Sequence, residues 1–505
     1  MVFLSLKMPH YLLKRMNKIK VIIAALFIFS FINVFSQVKF EKILGGTGYD
    51  YGYSVIQTFD KGYVVAGSTT SFGAGETDAY IIKTDSMGVP LWQRTFGGIN
   101  IDQAYSVKQT RDSGLVIAGF TNSFGYGGYD MYVIKTDKLG DTLWTKTYGG
   151  SNWDFAYSID TTNDGGYIIS GGTYSFGKGD EDMYLVKINS IGDTLWTKTY
   201  GGLNQDEAKS VIQISDGGYI LTGFSKSFGD TLSDIYTIKT NPTGDTIWTY
   251  KYNGSQADFS NQVIESINGD FLIAGKRDTS HVGNFDMLIV DLSSAGQEIA
   301  NYTYGGNEND GANSIAESPS GNVALAGYTY SYGHGLGTDD IISYFFSNLS
   351  LTYATHASTF GGTKDEVANC ISRTTDNGYI ICGNSNSYSN LDHIYLIKTD
   401  SNGVSSGSII NIETGINSIS EPNKYFSIYP NPANNNASIN FLSVNNNENK
   451  SIVITDIMGK ESFHHSYSTL NNKIELNTSS FTNGIYFIHL QNGNESSVGK
   501  IIIQH

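Results

Sequence analysis

Residues 149–200 read GGSNWDFAYSIDTTNDGGYIISGGTYSFGKGDEDMYLVKINSIGDTLWTKTY. Four apolar, β-branched or aromatic runs in this stretch are separated by Gly- and Asp-containing turns, the pattern of four short strands with no helical segment. The stretch recurs along the chain. Gly149-Gly150 reappears as Gly45-Gly46, Gly97-Gly98, Gly201-Gly202, Asn253-Gly254, Gly305-Gly306 and Gly361-Gly362, with five spacings of 52 residues and one of 56. Seven such units predict an all-β, seven-bladed β-propeller with four-stranded blades. A β-helix has shorter repeats, and a sandwich does not repeat in this way.

The seventh unit lacks its last strand. After Ser401-Asn402-Gly403 nothing resembles Leu143-Trp144-Thr145-Lys146-Thr147-Tyr148, but Val38–Leu44 precedes the first Gly-Gly as that segment precedes the third. The N-terminal strand is therefore expected to complete the last blade, closing the ring and removing an exposed edge. Trp92, Trp144, Trp196 and Trp248, with Phe40 at the equivalent place, are expected to pack between blades. Ala300 and His356 depart from that pattern.

Two sets of acidic residues recur. Asp78, Asp130, Asp182, Asp234, Asp286, Asp340 and Asp392 are placed at the opening of the third strand. Asp50, Asp102, Asp154, Asp206, Asp258, Asp310 and Glu366 follow each Gly-Gly by four residues. The second set suggests either a cation-binding carboxylate ring or, more simply, carboxylates that accept N–H groups of their own loops. No metal site is assigned.

The chain has 505 residues, 57 of them Gly and 34 Tyr, with only 7 Pro. This is too apolar and aromatic for disorder and too Gly-rich for a helical bundle. The formal charge of −16 argues against nucleic acid as a partner. Lys18 and Lys20, the apolar run Val21–Phe35 and Ser36 before Gln37 read as a signal peptide over residues 1–36, starting naturally at Met16. The run is too short to span a bilayer, so no transmembrane segment is expected in the mature chain. Cys370 and Cys382 read as small buried thiols, with a disulfide between them as the alternative.

The unit, with its GG…D, T-x-D-x-G-Y-I-I-x-G-x-T-x-S and closing L-W-x-x-x-Y-G-G, resembles the bacterial SBBP-type propeller repeat over residues 37–410. A Ser/Asn/Glu-rich linker follows at 411–424. Residues 425–505 then carry Phe426–Pro432 with Tyr429-Pro430-Asn431-Pro432, Ile452–Lys460 with Asp456 and Gly459, Phe481–Phe487 with Gly484 and Tyr486, and Lys500–Ile503. These blocks resemble the C-terminal sorting domain (type A) of the Bacteroidota type IX, or Por, secretion system. The resemblance implies a small Ig-like β-sandwich, recognition by the type IX translocon and sortase machinery, and a secreted or outer-membrane-surface location.

No metalloprotease, serine-hydrolase, Walker or dinucleotide motif occurs, so no enzyme, catalytic residue or cofactor is assigned. The loops after Gly-Gly and after S-F-G should share one face, and loops on a rigid scaffold carry function. Blade-specific residues there are Tyr49, Trp153 and Gln205 in the first set, and Tyr126, Tyr129, Lys178 and His334 in the second. Aromatic rings beside amides suit a glycan or protein ligand. The expectation is a non-catalytic binding propeller, the alternative a secreted glycan-active hydrolase or lyase.

Overall fold

The computed structural model describes residues 37–413, apart from 229–231, 253, 255, 280–283, 333–338 and 348–350. It also describes 426–503, apart from 430–432, 434, 442–449, 457–460, 468–472, 483 and 493–494. The expected signal peptide, most of the expected linker and His334 lie outside these residues. Among the described residues every regular element is a strand, and no helix is long and apolar enough to cross a membrane. Two compact units divide the chain, Met1–Ile412 and Glu413–His505.

The first unit consists of seven antiparallel sheets in tandem. Blade 1 is Asp50–Gln57, Tyr63–Thr69, Asp78–Thr84 and Pro90–Phe96, in that spatial order. The next five blades repeat it. Blade 7 takes Glu366–Arg373, Tyr379–Ser385 and His393–Thr399 from the end of the repeat and Phe40–Gly45 from its beginning. Phe40 stands opposite Lys398 as Trp92 stands opposite Lys83, so the closing strand occupies the register of an ordinary fourth strand. A further strand, Ile409–Glu413, pairs outside Phe40–Gly45 and makes this the one five-stranded blade.

Second and third strands are buried along their whole length in blades 1 to 3, as in Leu115–Thr121 and Asp130–Thr136, and along most of it in the others. The reason is that blades stack face to face. Val64, Ala66, Ala79 and Ile81 of blade 1 share one apolar cluster with Ala104, Val107, Leu115 and Ile117 of blade 2. Each fully buried Val or Ile contributes about 1.5–3 kcal/mol of transfer free energy. The tryptophans cover the same seam: a Cβ on Gly140 of blade 2 would come within 2.8 Å of the Trp92 ring. Gly140 is also at φ +79°, so two constraints hold glycine there.

The repeated carboxylates tie loops to strands. Asp154, fully buried, accepts the Gly150 N–H (2.8 Å), the Ser175 hydroxyl (2.7 Å) and the Thr173 hydroxyl. Asp50 holds Gly46, Ser71 and Thr69 in the same way. In every blade except blade 5, the Gly-Gly, the acidic residue four positions on and the Ser/Thr loop after the second strand are thus parts of one knot. Such carboxylates are engaged within their own loops rather than gathered into a ring. Removing one of these buried carboxylates would strand its donors, each at about 1–3 kcal/mol.

A second pairing staples the opposite face. Lys83, Lys135, Lys187, Lys239 and Lys398 reach the hairpin-turn carboxylates Asp60, Asp112, Asp164, Asp216 and Asp376 at 2.8–3.0 Å. Asp291 stands in the lysine's place in blade 5, and burial together with Asp270 raises its carboxyl to about 6.

One repeat assignment is corrected. Asp78 pairs with Thr69, but the residue paired with the equivalent Ser385 is His393, not Asp392. Asp392 instead matches Thr77, since its carbonyl accepts Asp50 N–H as Thr77 accepts Asp102 N–H. The two cysteines, directly opposed on neighbouring strands, are free thiols.

The second unit is a sandwich of two antiparallel sheets. One holds Phe426–Tyr429, Asn436–Phe441 and Lys473–Asn477; the other holds Glu461–Tyr467, Lys450–Asp456, Gly484–Asn492 and Glu495–Ile503. Ala437, Ile439 and Leu476 from the first pack with Ile452, Ile454, Ile488 and Ile501 from the second.

Candidate functional site at the centre of the ring

The first strand of every blade is the innermost, and each carries a β-bulge at the same repeat position. The register slips between Gly52 and Ser54, Ala104 and Ser106, Ala156 and Ser158, and at the matching points of the other four blades. A bulge leaves one residue unpaired and re-aims its side chain. Those residues are Tyr53, Tyr105, Tyr157, Lys209, Asn261, Asn313 and Asn369. They divide the ring into two halves.

In blades 1 to 3 the bulge residues are tyrosines in mutual contact. Tyr53 stacks on Tyr105 at 4.5 Å, and Tyr105 meets Tyr157 edge-on at 5.4 Å. Tyr49 and Tyr51 extend the stack along the first strand, at 6.3 and 6.2 Å. In blades 5 to 7 the bulge residues are asparagines. Their amide N–H groups reach into the next blade, Asn261 to Ala312, Asn313 to Ala368 and Asn369 to Gly52, at 2.8–2.9 Å. The last of these crosses the closure point and fastens blade 7 to blade 1.

Several of the sequence-derived candidates meet beside the tyrosines. Trp153, 52% exposed, lies edge-on to Tyr129 (5.9 Å) and Tyr174 (6.1 Å). Tyr49 is 44% exposed at the head of its stack. Gln205 donates to Glu181 (2.9 Å) and accepts from Lys226 (2.7 Å). Tyr126 is 83% exposed and is tied down by its backbone N–H to Asp130. Lys178 is likewise held by its N–H on Asp182, with its side chain exposed. Tyr126 and Lys178 share no ring or side-chain contact with the others among the described interactions.

Two groups escaped the sequence reading. The bulge residues are the variable position before Ser in the repeated D-x-A-x-S-V, so variability inside an otherwise regular strand was the available signal. Glu181 and Glu207 form the other group, both nearly fully buried. Burial, followed by the neighbouring Glu207 charge, raises the Glu181 carboxyl to about 7. Lys209 pairs with Glu207 while its ammonium sits 3.9 Å over the Tyr157 ring.

Glu181 has a consequence for stability. Its folded pKa lies above its unfolded value, so the stabilising effect of its proton is complete below about pH 4 and is lost as pH rises through about 7. Glu181→Gln is expected to reduce the fall in the urea midpoint between about pH 5 and pH 8. An identical fall in both proteins would show that Glu181 does not titrate there.

In the second unit, Tyr486 is buried against Phe481, its hydroxyl donating to the Thr482 carbonyl at 3.1 Å. Gly484 opens the strand that carries it, and Tyr429, Asp456 and Lys500 also lie on strands. Pro430, Asn431, Pro432 and Gly459 lie outside the described residues. Residues 427–504 match the family described as a secretion system C-terminal sorting domain. The sorting domain accounts for the whole sandwich. Other similarities of the chain are more distant. A regulatory protein FlaEY of Caulobacter vibrioides is 22% identical over 253 residues, 44% of this chain and 26% of that protein. The match therefore spans about a quarter of that relative's length. Among solved structures, Sqt1 from Chaetomium thermophilum aligns at TM-score 0.41 and 12% identity, covering 69% of this chain and 82% of Sqt1. Puromycin hydrolase aligns at 0.40 and 11%, covering 68% of this chain and 50% of that one.

Proposed function

We propose that the propeller is a glycan-binding module without catalytic activity, carried by its sorting domain through a type IX secretion route to the cell surface or medium. The observation that supports the ligand class is the aromatic half of the central ring. Tyr49, Tyr51, Tyr53 and Tyr105 form a continuous stack, with Trp153, Tyr129 and Tyr174 clustered on the neighbouring blades. Aromatic faces bind the C–H faces of sugar rings, while the amides and carboxylates alongside match hydroxyls.

Binding is tested with the secreted chain on an array of neutral and acidic oligosaccharides, followed by titration of the best ligand. Trp153→Ala and Tyr49→Ala are each expected to weaken binding by about tenfold, the equivalent of one lost ring contact. Unchanged affinity in both variants would remove the site from this face.

The Glu181 and Glu207 carboxylates favour a second reading, a glycan-active enzyme. A carboxyl raised to about 7 beside a second carboxylate is the environment a general acid uses. Release of new reducing ends from a bound glycan, abolished in Glu181→Gln, would establish it in place of simple binding.

A further inference from the structure

Lys276 occupies a position in the second strand of blade 5 that is filled by Ser68, Phe120, Gly172, Phe224, Tyr328 and Asn384 in the other blades. Its ammonium nitrogen is boxed by three rings: Phe285 at 4.7 Å, Phe259 at 5.6 Å and Tyr328 at 5.9 Å from the ring centres. Among the described residues its one polar contact is a donation to the Tyr328 hydroxyl at 3.4 Å. Among the described residues no carboxylate pairs with it. The contrast with the rest of the ring is sharp, because the five turn lysines each hold an aspartate at 2.8–3.0 Å. Lys276 is only partly covered.

A lysine that loses hydration without gaining an anion releases its proton more readily, and burial lowers the Lys276 pKa. The neutral amine is the nucleophilic form, and a desolvated lysine in an apolar pocket is one of the standard ways of activating it.

We propose that Lys276 is a reactive amine site that condenses with aldehydes, the open-chain reducing end of a sugar being the class its aromatic walls fit. The nitrogen lone pair attacks the carbonyl carbon, forming a C–N bond, and the carbonyl oxygen takes up the proton that nitrogen releases. The resulting hydroxyl then leaves as water with a second proton as the C=N bond forms. Amine and aldehyde give imine and water, and nothing is oxidised or reduced. The Tyr328 hydroxyl stands where it can relay the proton. The sugar as aldehyde source rests on the glycan reading above; the reactivity of the amine does not.

The test is reductive trapping. The secreted chain is incubated with glyceraldehyde and cyanoborohydride, which fixes any imine as a secondary amine, and the labelled lysines are mapped by peptide mass spectrometry. At about pH 7, Lys276 is expected to label faster than the exposed Lys178 and Lys226, because burial lowers its pKa and leaves more of it as neutral amine. The gap should narrow as pH rises toward about 10, where an ordinary lysine also carries a sizeable neutral fraction. Tyr328→Phe, which keeps the amine, should slow labelling, and Lys276→Arg should remove the fast-labelled peptide. Labelling of Lys276 at or below the rate of Lys226 at about pH 7 overturns the proposal. Fast labelling by glyceraldehyde with none by reducing oligosaccharides would keep the reactive amine and discard the sugar as its partner.

Discussion

Leu44→Asp is expected to destabilise the propeller more than any other single substitution considered. Leu44 is fully buried in the closing strand, within the cluster that joins blade 7 to blade 1 and includes Val55, Tyr63, Val65, Ile380, Ile394 and Leu396. A carboxylate there finds no partner, and leaving a charge unpaired in such a core costs about 3–5 kcal/mol. That is a large part of the roughly 5–15 kcal/mol by which a folded protein is stable. The measurement is urea unfolding followed by tryptophan fluorescence, and all five tryptophans lie in the propeller. Leu143→Asp is the control. Leu143 belongs to an ordinary fourth strand but is 57% exposed, so its midpoint should stay within about 0.5 kcal/mol of the parent. If Leu44→Asp unfolded at the parental midpoint, the closing strand would not be what holds the ring shut.

Deleting residues 414–505 is expected to abolish delivery to the cell surface or medium while leaving the propeller folded. The two units have separate cores: the sorting domain packs Ile439, Ile452, Ile454, Ile488 and Ile501 among themselves, and the propeller clusters lie within the ring unit. Each should therefore fold by its own burial. Immunoblots of extracellular, envelope and cell-interior fractions would show the truncated chain retained, with its urea midpoint unchanged. Equal amounts of full-length and truncated chain outside the cell would contradict the sorting role. Loss of the midpoint would instead show that the ring depends on the sandwich.

Much of this was legible in the residues. The 52-residue spacing of Gly-Gly, with four apolar runs per unit, predicted the blade and its number, and Val38–Leu44 before the first Gly-Gly predicted ring closure. These are local properties: turn chemistry, alternation and strand length act over a few residues and copy with the repeat. The same copying hid the bulges. Tyr53 and Asn369 occupy one repeat position, and only strand pairing reveals that this position is unpaired in its sheet. The closing unit is one residue shorter between its second and third strands, so a 52-residue step from Asp340 lands on Asp392 while the strand pairing places His393 there. Ile409–Glu413 gave no repeat signal, because a fifth strand belongs to a single blade.

The candidate site shows the same division. Trp153, Tyr129 and Gln205 were found as blade-specific loop residues, whereas Glu181, Glu207 and Lys276 were not. Residues 129 and 153 lie in different blades, and what joins them is ring geometry. The strands, the turns, the seven-fold repetition and the sorting domain are each written in contiguous residues and can be read from them directly. Contacts between blades, the raised carboxyl of Glu181 and the aromatic rings around Lys276 in place of a counter-ion arise only in the folded ring. Proton affinity and contact depend on distance and burial, and residues from different blades acquire both only when the ring closes.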